Sequence, residues 1–281
     1  MFKFKIDIPL GWELCKLTDI AHVTFSGVDK KSESGEVQVK LCNYTDVFYN
    51  RYIHNNLNFM KATASTSEVE KCSLKKGDVV FTKDSETPEE IGICASVEEH
   101  LSNVICGYHL GIIRPINNKV YGSYLSIVLN FHPVHYQFVR LANGVTRFGL
   151  NLSAMNMIMV PIPPQTKQME IVDAIRNWDY AIEKTGKLIE GKRLRHVALA
   201  NKLLSRKSST VPLKKFLKLT LRDAAKPDIP YWALGIRSHG KGTFRRFVEN
   251  PNTVAMDTLY RVRHDDLIVN ITFAWEGAIA F

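Results

Sequence analysis

One stretch dominates the pattern of apolar and polar positions. Between Gln165 and Leu204 apolar residues recur as Val172, Ile175, Ile182, Ile189 and Leu203, flanked by Ile171, Trp178, Ala181, Leu188 and Leu199. Steps of mostly three and four place them on one face of a helix. Pro161, Pro163 and Pro164 stand just before the run and no proline follows until Pro212. Proline is tolerated at a helix start and excluded from its interior, so these residues set the beginning. The pattern predicts one helix over residues 165–205, a rod of about 60 Å at about 1.5 Å per residue. Gly186 and Gly191 each weaken it by about 1 kcal/mol relative to alanine. Asp179, Gly186 and His196 interrupt the seam. Such a helix either packs along its own domain or holds two similar domains apart, and similar sequence on both sides of it decides between the two.

Before the helix, periods of two and of three to four alternate. Residues 37–41 alternate like a strand, and residues 43–46 (Asn-Tyr-Thr-Asp) read as turn material. A turn then leads into a buried strand over residues 74–82. Residues 83–90 form a polar loop, and apolar runs resume at 91–94 and 104–114. Residues 121–131 and 134–142 read as helices, the second ended by Asn143-Gly144. A last strand over 158–162 precedes the long helix. This is a mixed α/β (α+β) domain over residues 1–164, long enough for its own core.

After the helix comes a basic polar linker, residues 205–210, and then the opening pattern returns. Pro212-Leu213-Lys214-Lys215-Phe216 parallels Leu14-Cys15-Lys16-Leu17. Asp265-Asp266-Leu267-Ile268-Val269 parallels Gly77-Asp78-Val79-Val80-Phe81, and Glu276-Gly277-Ala278-Ile279-Ala280 parallels Glu90-Ile91-Gly92-Ile93-Cys94. Their shared order predicts a divergent internal repeat. Residues 206–281 are its second copy, with no counterpart of residues 121–164 or of the long helix.

Composition narrows the class. Of 281 residues, 45% are hydrophobic and 23% charged, a globular balance. The start lacks the apolar core of a secretory signal and no stretch reaches a membrane span, which predicts a cytoplasmic protein. Cys15, Cys42, Cys72, Cys94 and Cys106 form no CxxC pair, so free thiols are expected rather than disulfides or a zinc site. The net charge of +9 favours an anionic partner such as nucleic acid.

The residues resemble the specificity (S) subunit of type I restriction-modification enzymes. The resemblance lies in "IPLGWELCKLTDI", "KGDVVFTKDSETPEEIGICA", "CGYHLGIIRP" and "NGVTRFGLNLSAMNMIMVPIPPQTKQMEIVDAI", and then in "GIRSHGKGTF", "LYRVRHDDLIVN" and "FAWEGAIA". It implies a target-recognition domain with a twisted mixed sheet and flanking helices, joined by the long helix to a partial second copy. In that family each such domain reads one half of a split DNA target. The helices dock methyltransferase (M) subunits, which carry S-adenosylmethionine, and a separate restriction (R) subunit cleaves. This chain would then bind double-stranded DNA, bind no cofactor itself, meet R subunits through the complex and have no membrane partner. An incomplete subunit acting as a regulator or decoy for M subunits is the alternative.

Candidate DNA contacts follow from residue type and placement. Lys83, in a polar loop directly after a buried strand, can meet phosphate or guanine. Ser85 and Glu86 share that loop, and Tyr44 lies in the turn at 43–46. Arg147 and Phe148 stand between Gly144 and Gly149, which would let the backbone approach a ligand; a phosphate role is favoured for Arg147, because that loop does little to lock a side-chain fork. In the second copy Arg237, Lys241, Arg245 and Arg246 surround Gly240 and Gly242. Tyr108-His109, within an apolar run, reads as core, as does Trp275. Subunit contacts are expected from Val172, Ile175, Trp178, Ile182, Ile189, Leu199 and Leu203, through M subunits or a homodimer. No catalytic constellation is visible. His132 and His135 lack a third ligand, and the one enzymatic alternative is a small nuclease using Asp265, Asp266 and Glu276 as metal ligands.

Overall fold

The structure, a computed structural model, describes residues 8–116, 119–205 and 211–281. Most of the expected linker at 205–210 lies outside the described residues. The chain divides into two compact units, Met1–Val197 and Ala198–Phe281.

The first unit runs β1 (Glu13–Lys16), α1 (Leu17–Ile20), β2 (Ala21–Phe25), β3 (Val37–Cys42), α2 (Tyr44–Phe48), β4 (Tyr52–Ile53), β5 (Met60–Ala64) and α3 (Thr66–Cys72). It continues with β6 (Val79–Thr82), β7 (Asp84–Ser85), β8 (Cys94–Val97), β9 (Val104–Cys106), β10 (Leu110–Pro115), α4 (Gly122–Asn130) and α5 (His132–Leu141). Then come β11 (Asn143–Gly144), β12 (Phe148–Gly149), α6 (Leu152–Met155), β13 (Met159–Ile162) and α7 (Gln165–Leu204). A five-stranded sheet in the order β2-β10-β6-β8-β4 is its centre, parallel only between β4 and β8. A three-stranded sheet in the order β5-β3-β9 forms a second layer.

Strand alternation separates two cores. In β6, Val79 and Phe81 face a cluster with Tyr124, Leu125 and Leu129 of α4 and Phe138 of α5. Val80 faces the other cluster, with Val39 and Leu41 of β3 and Ile105 of β9. Buried on both sides, β6 reads as an unbroken apolar run. The expected strand at 104–114 is two strands, broken at Gly107, where a Cβ would lie 2.8 Å from the Cys42 carbonyl oxygen. The expected turn at 43–46 opens helix α2 instead: Asn43 caps it, and the Asp46 carboxylate accepts from the Asn43 N–H at 2.7 Å. All five cysteines are free, and burial raises the thiols of Cys42, Cys94 and Cys106.

The long helix begins at Gln165, where the prolines set it. Its first turns belong to the first unit. Gln168, fully buried, donates from Nε2 to the Lys119 and Pro163 carbonyls (2.9 and 3.0 Å) and accepts at Oε1 from the Tyr121 N–H (3.0 Å). Val172 lies in the core and Ile175 is half-buried. Val172 is therefore corrected: assigned to a subunit-facing stripe by period, it lies on a turn that seals the domain. Burying a valine contributes about 1.5–3 kcal/mol there. Asp179, an apparent blemish in the seam, accepts from the Tyr52 hydroxyl at 2.6 Å and lies 3.3 Å from Arg51. Arg176 pairs with Glu98. Trp178, within these turns, and Ile182, Ile189, Leu199 and Leu203, beyond them, are all exposed.

The second unit contains β14 (Asp223–Ala225), β15 (Tyr231–Ile236), β16 (Thr243–Val248), β17 (Thr258–Tyr260), β18 (Ile268–Val269) and β19 (Ile279–Ala280). They pair antiparallel as β14-β17, β15-β16 and β18-β19. One turn occurs in both units. Asp78 accepts from the Lys75 N–H at 2.7 Å and is gripped by Arg114 at 2.6 and 2.7 Å. Asp266 accepts from the Arg263 N–H at 2.8 Å and is gripped by Arg222 at 2.6 and 3.1 Å. The residue before each aspartate has positive φ, Gly77 at 90° and Asp265 at 68°. Trp275 is not core; it is 80% exposed.

A candidate nucleic-acid interface

Three loops of the first unit are fastened to one another through Lys83. Its N–H donates to the His109 carbonyl (3.0 Å) and its carbonyl accepts from the Leu150 N–H (2.9 Å). One residue on, β7 pairs with β12, setting Ser85 opposite Phe148 and Asp84 opposite Gly149. β12 pairs in turn with β11, so residues 143–149 form a tight hairpin. Gly144, at φ 150°, is required by that hairpin itself: a Cβ there would fall 1.9 Å from the Arg147 carbonyl oxygen. The glycine serves the loop's own close approach rather than a ligand's. Phe148 anchors the hairpin against the core, while Val145 and Arg147 stand exposed at its tip.

Side chains converge on Asp84. Its Oδ2 accepts from Lys83 Nζ at 3.0 Å, and its Oδ1 lies 2.6 Å from His109 Nδ1 and 3.2 Å from Arg147 NH2. Burial pushes the Asp84 carboxyl up, but the hydrogen bond and charge of Lys83, followed by those of His109, outweigh it and hold the group below its ordinary range. Lys83 is not a free loop cation: its side chain is 14% exposed and its ammonium also sits 4.5 Å from the centre of the Tyr108 ring. Arg147 also lies 2.9 Å from His109 Nδ1. The same guanidinium nitrogen, Nη2, is 3.2 Å from His109 Nε2, so it sits over the imidazole ring.

A second hub lies beside the first. Glu90 Oε2 accepts from Ser85 Oγ at 2.5 Å and from the Tyr44 hydroxyl at 3.2 Å, and the Tyr44 ring stacks on Phe48 at 5.4 Å. Burial raises the Tyr44 phenol. Ser85 is buried and its hydroxyl is committed to Glu90, whereas Glu86 is exposed. A cavity of about 230 Å³ opens here, lined in part by Asn43, Tyr44, Tyr108 and His109.

The sequence reading brings Tyr44, Lys83, Ser85, Arg147 and Phe148 to this neighbourhood and misses Asp84, Glu90, Tyr108 and His109. His109, read as core, is 30% exposed on its side chain, and Tyr108 is 50% exposed. Gly107 is the signal that could have found them, because it breaks the apolar run just before the pair.

In the second unit, Arg237 donates to the Thr243 carbonyl at 2.9 Å and lies 5.1 Å from the Phe244 ring centre. Arg245 and Arg246 are successive residues of β16, so they point to opposite faces and do not form one patch. Lys241 sits between Gly240 and Gly242 in the connecting loop. Ser238 donates to Glu276 at 2.8 Å, as Ser85 does to Glu90. The nuclease reading is corrected here. Asp266 is chelated by Arg222, Glu276 is held by Ser238, and Asp265 turns outward to His264. Among the described residues no group of three His, Cys, Asp or Glu is placed to hold a metal ion. No described helix is long and apolar enough to cross a membrane.

A mixed α/β domain with basic loops braced on part-buried carboxylates, and a long helix leaving it, defines a candidate recognition module. Residues 9–191, more than half of the chain, match the family model described as the type I restriction modification DNA specificity domain, and the chain belongs to that family. It is 24% identical over 185 residues to a type I restriction enzyme MjaX specificity subunit of Methanocaldococcus jannaschii, covering 66% of this chain and 43% of that protein. The chain thus spans less than half the length of that relative. Among solved structures it is similar to the HsdS subunit from Thermoanaerobacter tengcongensis (TM-score 0.45, 15% identity, 70% of this chain and 45% of that one). It is also similar to the type I restriction-modification S subunit from M. genitalium (TM-score 0.45, 15% identity, 86% and 60%).

Proposed function

We propose that this chain is a non-catalytic DNA-recognition component of a type I restriction-modification system. The observation that carries the reading is the exposed Arg147 tip, held by three mutually bonded loops inside the region that matches the specificity-domain family. Double-stranded DNA lies against that loop cluster. The first unit, with Arg147 at the tip of the cluster and Lys83 bracing it through Asp84, reads one part of a split target, and the basic loop around Lys241 adds backbone contact from the second. Residues 1–164 act as the recognition domain, 165–205 as the spacer, and 206–281 as the front of a second recognition domain. The exposed stripe of Trp178, Ile182, Ile189, Leu199 and Leu203 docks adenine-methyltransferase subunits or a second copy. S-adenosylmethionine belongs to the methyltransferase partner, and restriction subunits join through it.

Gel shift of the purified chain, with and without its methyltransferase subunits, tests this, on a duplex whose target is set by mapping methylated adenines in cells carrying the gene. Target-dependent binding strengthened by those subunits is expected. Binding of the subunits with no preference among duplexes would make the chain a decoy. No binding to DNA or subunits would sink the proposal.

A further inference from the structure

Arg147 is the most exposed cation of the loop cluster, with 58% of its side chain open, yet its guanidinium is not loose. Its close contacts to Asp84 and to His109 all use NH2. One nitrogen is thereby fixed to a carboxylate whose own side chain is 15% exposed and is held by Lys83 as well. The other guanidinium nitrogens make none of these contacts and belong to the same planar group. This supplies the lock that the glycine-flanked loop lacks by itself.

The same carboxylate decides what Arg147 can receive. A phosphate arriving at the guanidinium would come close to the ionised Asp84, and like charges at that range repel. A guanine edge presents neutral acceptors, N7 and O6, which the N–H groups left free on a braced guanidinium can meet without that repulsion. A flexible cation aimed at phosphate gains nothing from a carboxylate brace, whereas a base-reading arginine gains orientation.

Resting on the DNA-recognition reading above, we infer that Arg147 reads the major-groove edge of a guanine and that Asp84 is its positioning residue. This reverses the phosphate role that the sequence favours. Lys83, covered and shared between Asp84 and the Tyr108 ring, is part of the brace and not a contact.

The test uses the full chain with its methyltransferase subunits on the mapped target, with each guanine replaced in turn by 7-deazaguanine, which lacks the N7 acceptor. Wild type should lose about 10-fold or more at one guanine, and Arg147→Ala should be insensitive to that same replacement. Arg147→Lys should fail to restore the preference, because an ammonium is a point charge without the planar donor set that Asp84 orients. Asp84→Asn should lose discrimination at that position while binding scrambled duplex more tightly, with a salt slope steeper by about 1. If Asp84→Asn does not fold, as judged by circular dichroism, the two Arg147 variants with the deaza series carry the test alone. The inference is overturned if Arg147→Ala weakens target and scrambled duplexes alike, lowers the salt slope by about 1 and is rescued by lysine. It is equally overturned if no deaza replacement distinguishes wild type from Arg147→Ala. A wild type that binds neither duplex defeats the DNA reading itself, whereas a wild type that discriminates with no role for Arg147 defeats this inference alone.

Discussion

Gln168 couples the long helix to its domain, and its removal has a calculable consequence. The side chain is fully buried and makes two donations and one acceptance, to the Lys119 and Pro163 carbonyls and from the Tyr121 N–H. Gln168→Leu keeps apolar volume and deletes all three bonds. A net hydrogen bond contributes about 0.5–1.5 kcal/mol, and a buried group left unpaired costs about 1–3 kcal/mol. Pro163 is buried, whereas Lys119 and Tyr121 are exposed residues whose backbone groups can turn to water. The expected cost is therefore about 2–4 kcal/mol, a large fraction of a domain stability of about 5–15 kcal/mol. Urea unfolding followed by circular dichroism measures the loss. Hydrogen exchange should show it concentrated in residues 119–125 and 165–176, with the β6–β10 amides affected less. Gln168→Glu keeps the acceptor and buries a charge, so it should be worse than leucine at pH 7 and improve as the carboxyl protonates. A loss under about 0.5 kcal/mol for Gln168→Leu, at an unchanged denaturant slope, would show that water replaces these bonds and that the helix is attached by Val172 and its apolar neighbours alone.

Three further outcomes follow from the same structure. Arg114→Met strands the buried Asp78 carboxylate, which should cost about 3–5 kcal/mol in urea unfolding; an effect no larger than that of an exposed surface substitution would refute the burial argument. His135 has a folded pKa below its ordinary 6.5, chiefly because burial disfavours the charged imidazole. The unfolded chain therefore takes up that proton first, so stability present above about 6.5 should fall as pH drops toward the folded pKa, and His135→Gln should flatten that part of a stability-against-pH curve. Ile182→Asp, on the exposed stripe, should abolish co-purification with methyltransferase subunits or self-association in ultracentrifugation while leaving the melting temperature within a degree or two; a wild type that does neither would refute the docking role.

Local rules act within a few residues, and where they act the sequence is legible. The prolines at 161–164 and the three-four spacing place the long helix at Gln165–Leu204, because exclusion of proline and helical period need no distant partner. The apolar run of β6 marks a strand buried on both faces for the same reason. The Asp78 and Asp266 turns recur because each aspartate reaches a backbone N–H only three residues away.

What the sequence leaves open is decided by contacts between distant residues. Asp84 meets His109 and Arg147, residues 25 and 63 positions away, only because Lys83 hydrogen-bonds both other loops and β7 pairs with β12 in one register. No window of sequence contains those bonds, so Arg147 looks unbraced and His109 looks like core. Val172 and Ile182 belong to the same stripe and differ in fate, because only the first turns of the helix carry side chains buried in the first unit's core. Period tells which residues share a face. Only the packed structure tells where along the helix that face stops being core and becomes surface.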